Sequence, residues 1–320
     1  MKLMDQQLEY YVQEVLAFRR EDKRKYQEQI DYLKTCLDTA IRANSNLAVL
    51  KFLQAGSWRK GTALRPRDGH AIDIDLAVFL NVSEAKREDI ATLHELIIDL
   101  LCKTYPTKPK GDFTPSRKTV GIEFRTSGLQ VDLVPVIPIQ EPAGYVWQPE
   151  VGGGGAFLTS IEGQLEFIRR IKDQDPRFTK IVRLAKRWRN YGELKDLLSS
   201  FALELIVAFL VVDQGAAPTI EEGLIRLLLF IAQSGLSTLI SFPEAIRNIP
   251  ASDAPVRILD PTNNENNVTV RMTDDERKQI VDHATATLET LNYAQDVGRK
   301  GETIGLWKEV FGPSFSVEEE

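Results

Sequence analysis

Hydrophobic residues recur at steps of three and four from early in the chain. Tyr26, Ile30, Leu33, Leu37 and Ile41 mark one face of a stretch whose other positions are rich in Arg, Lys, Glu and Asp. Residues 5–43 are therefore expected to form one long amphipathic helix or two in tandem. A short apolar run over 47–53 ends in Gln54-Ala55-Gly56-Ser57, and the period then changes. Residues 72–80 (IDIDLAVFL) read as a strand with Asp on one face, and 88–105 read as a helix. Residues 119–126 and 129–137 read as two strands joined at Ser127-Gly128, a good hairpin signal. Residues 138–158 hold three Pro and the run Gly152 to Gly155, which predicts a loop. From Ser160 onward the period is helical over 160–173, 177–191, 199–214, 219–234, 273–297 and 302–310, with an irregular Pro/Asn-rich segment at 256–268.

A front half that mixes helix with strand and a back half that is nearly all helix place the chain in the α+β class. Two lobes are expected, 1–150 with the sheet and 151–320 mostly helical, with a site in the cleft between them. The 320 residues are enough for two cores. A charged fraction of 27% excludes wholesale disorder. Cys36 and Cys102 make no disulfide framework, and three His leave no set of soft zinc ligands, so any metal should be a hard ion held by carboxylates. The net charge of -6 argues against coating nucleic acid through a bulk field, though local basic patches stay open. No apolar run reaches the roughly 20 residues that span a bilayer; the longest, 201–212, carries Glu204. The acidic start lacks an apolar signal core, so a cytoplasmic chain is expected.

Three carboxylates stand out. Asp73 and Asp75 alternate along one strand and so face the same way, and Asp132 interrupts the apolar run Val131-Asp132-Leu133-Val134. A carboxylate inside such a run is costly unless compensated, and divalent cations shared by three converging Asp would compensate it. A bare DxD is more often the mark of a solvated edge strand. Upstream stands Gly56-Ser57-Trp58-Arg59-Lys60-Gly61-Thr62, where glycines let backbone N–H groups approach a phosphate. Ser57 could donate to that phosphate, and Thr62 could do so or cap the next turn. Asp73 follows 11 positions after Thr62, and Asp132 follows 57 positions after Asp75.

Arg183, Lys186 and Arg187 fall on one helical stripe, either solvated or facing a ligand. Ser199 and Ser200 stand where a helix N-cap is expected, a place that also suits a phosphate. Trp58, Trp147 and Tyr191 offer stacking faces or core packing, and His70 precedes the DxD strand. Lys103, Lys108, Lys110, Arg117 and Lys118 gather around one loop, as a site for RNA or as a solvated segment.

This ordered set resembles the nucleotidyltransferase superfamily of DNA polymerase β. Within it the chain resembles the bacterial cyclic-oligonucleotide synthases (CD-NTases), relatives of oligoadenylate synthetase and animal cyclic GMP-AMP synthase. The likeness rests on the GSxxKGT loop, IDIDLAVF and VDLVPVIP in the front lobe, and on 181–188 (IVRLAKRW), 199–205 (SSFALEL) and 259–264 (LDPTNN) in the back lobe. It implies a polymerase β-like lobe with a mixed sheet, a helical lobe, and an active site in the cleft. Asp73, Asp75 and Asp132 would be catalytic and hold two Mg²⁺ (or Mn²⁺) ions, Asp132 helping to activate the acceptor hydroxyl. Gln54, Gly56, Ser57, Lys60 and Thr62 would bind the nucleotide, joined by Lys186, Ser199 and Ser200 from the helical lobe.

The implied reaction is attack of a 3′- or 2′-hydroxyl on the α-phosphate of an NTP, with ATP among the substrates, releasing pyrophosphate. A cyclic di- or trinucleotide would result, signalling in antiphage defence. No DNA template or membrane is implied; a regulatory partner protein and a downstream effector that recognises the product are. Nucleotide addition to an RNA end, nucleotidyl transfer to a protein or antibiotic, and an inactive binding module are the other readings.

Overall fold

The computed structural model describes residues 3–66, 72–82, 92–153 and 155–317; His70, Gly154 and the first turn of the helix expected over 88–105 lie outside the described residues. The chain forms two compact units. One comprises Arg19–Lys60 and Pro66–Leu165, the other Met1–Phe18, Gly61–Arg65 and Glu166–Glu320. This division differs from a single boundary at 150, because the chain passes between the units several times.

The N-terminal helical stretch is the first case. Helix α1 (Asp5–Tyr10) runs into a π-helical turn, Tyr11–Leu16, that ends at Ala17 in extended conformation, and α2 (Arg20–Asn44) starts afresh. Leu8, Tyr11, Val12 and Leu16 are fully buried in the core of the helical unit. Asp5 secures the segment there, accepting from Ile220 N at 2.6 Å and from Arg177 Nε at 3.1 Å.

In the other unit α2 buries Ile30, Leu33, Leu37 and Ile41, as its spacing requires. The apolar run after it is β1 (Val49–Gln54), followed by the five-residue α3 (Gly56–Lys60) and by β2 (Ile72–Leu80). Then come α4 (Leu93–Thr104), β3 (Phe113–Pro115), β4 (Val120–Phe124) and β5 (Leu129–Pro138). The sheet has the order β1-β2-β5-β4-β3 and is mixed, with β2 parallel to β5 and the other pairs antiparallel. The segment expected to be loop over 138–158 instead adds β6 (Val146–Pro149) and β7 (Ala156–Thr159), which extend the end of β5. Pro138 and Pro149 stand at strand ends, where a missing backbone donor is tolerated.

The helical unit is built from α5 (Ile161–Gln174), which begins in the sheet unit, then α6 (Phe178–Tyr191), α7 (Ser200–Gln214) and α8 (Ile220–Ser234). A two-stranded ribbon, β8 (Leu259–Asp260) with β9 (Asn263–Asn267), orders part of the Pro/Asn-rich segment, and α9 (Asp274–Asp296) and α10 (Lys300–Phe311) complete the unit. Helix α7 is apolar almost all round and central, with Ala202 to Ala208 buried. Thr273 and Glu276 close a capping box at the start of α9. Among the described residues no helix is long and apolar enough to cross a membrane.

Candidate active site

The first half of β2 alternates. Ile72 and Ile74 are buried while Asp73 is exposed and Asp75 half-buried, and from Leu76 to Leu80 both faces are covered. Strand β5 repeats the pattern with Leu129 and Val131 buried, Gln130 and Asp132 half-buried, and Leu133 to Ile137 buried. The two strands pair in parallel with Asp75 opposite Asp132 and Asp73 opposite Gln130. Three carboxylates thus share one face of two strands that lie about 4.8 Å apart.

Glycines make room for two of them. Gly56 has φ +58°, and a Cβ there would fall 1.7 Å from Asp75 Oδ2. Ala55 N also donates to Asp75 O at 2.9 Å, which fixes the start of α3 against the acidic strand. Gly121 lies opposite Asp132 in the β4–β5 pair, and a Cβ on it would stand 3.2 Å from Asp132 Oδ1 and 2.9 Å from Thr114 Oγ1.

Burial pushes the Asp132 carboxyl above its ordinary value; the Gln130 amide opposes this and the Asp73 charge adds to it. A carboxyl with a higher pKa in the native than in the unfolded state binds more protons when folded, so stability falls as pH rises through that window. In the metal-free protein the Asp132 contribution to stability should therefore rise as pH drops through its raised pKa toward its ordinary value. Asp132→Asn should melt higher than wild type at pH 7 in chelator and should lose that pH-dependent gain. Scanning calorimetry across the acid range checks both.

The fit to a metal follows from the donors. Among the described residues no three His, Cys, Asp or Glu side chains close into a preformed cage. What stands there is an open row of hard carboxylate oxygens. That suits Mg²⁺, which is usually held by one or two carboxylates with substrate phosphates and water completing the octahedron.

The other expected contacts divide. Ser57 is half-buried on the first turn of α3 and Lys60 is buried at its end, while Gln54 spends its amide on Gln27 at 2.9 Å. Trp58, half-buried, packs edge-on against the half-buried Tyr26. Lys186 and Thr62 do not face outward, although the stripe and the loop motif place them toward a phosphate. Lys186 is 3% exposed and Thr62 0%. Lys186 Nζ donates to Glu204 Oε1 at 2.7 Å and to Thr62 Oγ1 at 3.0 Å, and the Thr62 hydroxyl donates to the same Glu204 oxygen. The stripe is covered because α7 packs on α6, and burial of Glu204 in an apolar helix demands a cation beside it. Glu204 is the residue that sequence reasoning passed over. Its signal was the lone acid in the apolar run 201–212.

Ser199 caps α7, accepting from Ala202 N at 3.1 Å, and Ser200 Oγ accepts from Arg189 Nη1 at 3.1 Å. The basic loop is partly compensated. Lys108 pairs with Asp112, Lys110 with Asp99 and Arg117 with Glu150, while Lys103 donates to Asn44 and Lys118 lies over the Phe157 ring.

Residues 1–150 match the family model described as a Second Messenger Oligonucleotide or Dinucleotide Synthetase domain. Over 319 residues the chain is 39% identical to a CBASS oligonucleotide cyclase, CdnC, of Escherichia coli (strain KTE188), spanning 100% of this chain and 99% of that one. The chain belongs to the CBASS oligonucleotide cyclases. These CD-NTases are nucleotidyltransferases that make cyclic-oligonucleotide signals in antiphage defence, and this chain is an enzyme of that kind. A cyclic AMP-AMP-AMP synthase of Escherichia coli (strain MS 115-1) is 32% identical over 302 residues, 91% of each chain. Solved structures of CdnC from Escherichia coli MS115-1, one with ATP and one in complex with HORMA-deltaN, each match with a TM-score of 0.81 at 27% and 28% identity. They cover 98% and 97% of this chain and 99% and 97% of theirs, so the CBASS cyclase likeness takes in both units. The fold is the polymerase β-like nucleotidyltransferase fold with its mixed sheet. Nucleotidyltransferases of this family generally depend on a divalent metal.

Proposed function

We propose that this cyclase condenses ATP into a cyclic oligoadenylate, without a template, by attack of a ribose hydroxyl on the α-phosphate and release of pyrophosphate. The observation that carries the reading is the in-register pair Asp75 and Asp132, with Asp73 on the same face and Gly56 against Asp75. Asp73, Asp75 and Asp132 would hold two Mg²⁺ (or Mn²⁺) ions, whose chemistry is to neutralise charge on the attacking and leaving oxygens. Gly56 and Ser57 receive the donor triphosphate at the start of α3. Asp132 would accept the proton of the acceptor hydroxyl. The choice of adenylate rests on the relative that is a cyclic AMP-AMP-AMP synthase and on the CdnC structure with ATP. A partner protein of the HORMA kind controls the enzyme, as the solved complex of the relative supports. The product, made in the cytoplasm, is recognised by a downstream effector.

The test is product analysis. Purified protein with labelled ATP and Mg²⁺ should yield a phosphatase-resistant species whose mass is a whole number of dehydrated AMP units, with no stimulation by duplex DNA at low salt. A phosphatase-sensitive ladder would instead mean linear polymer, and label on protein would mean another acceptor. Stimulation by DNA that fades with salt would restore a nucleic-acid site.

A further inference from the structure

Nothing in the backbone calls for glycine at position 121. Gly121 lies inside β4, paired with Thr114 of β3 on one side and with Asp132 of β5 on the other, and neither pair shifts register. Its φ is not positive. A glycine in a strand interior weakens the strand, and where there is no bulge it marks a close approach by other atoms. Those atoms are two side-chain oxygens. A Cβ on Gly121 would stand 2.9 Å from Thr114 Oγ1 and 3.2 Å from Asp132 Oδ1. The hydroxyl and the carboxylate thus both stand at about hydrogen-bond distance from a single point over the bare glycine, and a side chain there would part them.

Thr114 reaches this place for local reasons. It is the middle residue of a three-residue strand at the edge of the sheet. Phe113 before it is buried, so the period of two turns Thr114 to the opposite face. Pro115 after it holds its backbone extended. Thr114, Gly121, Asp132 and Asp75 therefore form one row across β3, β4, β5 and β2, all within the sheet unit. Thr114 is exposed, and its hydroxyl makes no hydrogen bond among the described residues. A hydroxyl that met only water would not need a bare neighbour beside the carboxylate.

We propose that Thr114 binds the acceptor nucleotide. Its hydroxyl bonds the ribose hydroxyl that does not attack, so that the neighbouring hydroxyl faces Asp132. The chemistry of the pair suits two vicinal hydroxyls. A carboxylate only accepts and serves the oxygen that gives up its proton, while a threonine hydroxyl donates and accepts and serves the oxygen that keeps its own. This role rests on the nucleotidyl-transfer reading, in which Asp132 takes the proton of the attacking hydroxyl.

A cycle between one protein hydroxyl and one substrate hydroxyl decides it. 2′-deoxy-ATP and 3′-deoxy-ATP each lack one ribose hydroxyl. The analogue without the nucleophile gives no product, so the one still turned over lacks the hydroxyl assigned to Thr114. Wild type should use that analogue with a KM about fivefold above that for ATP, the worth of one neutral hydrogen bond. Thr114→Val keeps the shape and removes the hydroxyl. It should raise the KM for ATP by about the same factor, with kcat nearly unchanged. It should leave the KM for the analogue where it is, because that contact is already missing. Thr114→Ser should keep the wild-type preference. Equal melting temperatures for the three proteins separate a lost contact from a lost fold.

A Thr114→Val enzyme whose KM rises equally for ATP and for the analogue would show that Thr114 acts on the strand and not on the ribose, and would overturn the proposal. So would a KM unchanged for both substrates. A wild-type enzyme that turns over neither analogue would overturn it as well, since one hydrogen bond cannot account for such a loss. In all three cases wild type still converts ATP, so the nucleotidyl-transfer reading stands. No product from ATP itself would strike that reading and this role with it.

Discussion

Asp75→Asn should lower the rate of cyclic product formation by at least about two orders of magnitude, since charge neutralisation by metal supplies several kcal/mol and each ~1.4 kcal/mol is tenfold in rate. Asp75 stands opposite Asp132 in the parallel pair and against Gly56 at the head of α3, so one carboxylate borders both the other acid and the loop. An amide has nearly the same shape but is a poor ligand for a hard cation. The variant should therefore fold and still fail. Product should be followed by chromatography and mass spectrometry, with the melting temperature measured in chelator. Removing one of several like charges from a crowded face should raise that temperature or leave it unchanged, and cation-induced stabilisation should shrink. Near wild-type turnover in a folded Asp75→Asn enzyme would refute the assignment of the acidic face as the metal site.

Gly56→Ala should be nearly as damaging, for a different reason. The backbone φ of +58° costs an L-residue about 1–2 kcal/mol relative to glycine. The added Cβ would also sit 1.7 Å from Asp75 Oδ2, so the carboxylate or the turn must move. A displacement of that size at the reacting centre is expected to cost about a hundredfold in kcat/KM. The effect should not add to that of Asp75→Asn, because both act on one carboxylate. Kinetics of the two single variants and the double check this. Independent, multiplying losses would show that Gly56 acts on the phosphate alone and not on Asp75.

The acidic face was legible in the chain because it breaks a rule locally. Aspartates at positions 73, 75 and 132 interrupt strands whose other residues are Ile, Leu and Val, and a period of two assigns their side without any knowledge of neighbours. The same holds for the helices of the back half, where a period near 3.6 and caps such as Thr273 with Glu276 determine extent and type from a few adjacent residues. Family resemblance in these motifs extended the reading to fold and reaction class, and the 39% identity across the whole chain agrees with it.

What the tertiary structure decided is pairing. That Asp75 meets Asp132, and that Gly121 opens space beside it, depends on β2 running parallel to β5, which no local pattern specifies. The segment 138–158 reads as loop from its Pro and Gly, yet β6 and β7 form because the end of β5 offers an edge with unspent hydrogen bonds. The N-terminal turn leaves its helix because Leu8, Tyr11 and Leu16 gain more by burial in the distant helical core than by continuing a helix. Lys186 looks like a surface cation from its own helix and becomes a buried one only because Glu204, 18 residues away on α7, packs beside it. Periodicity tells which face of an element is apolar; which element covers that face is settled by contacts between residues far apart in the chain, and these have no signature in any short window.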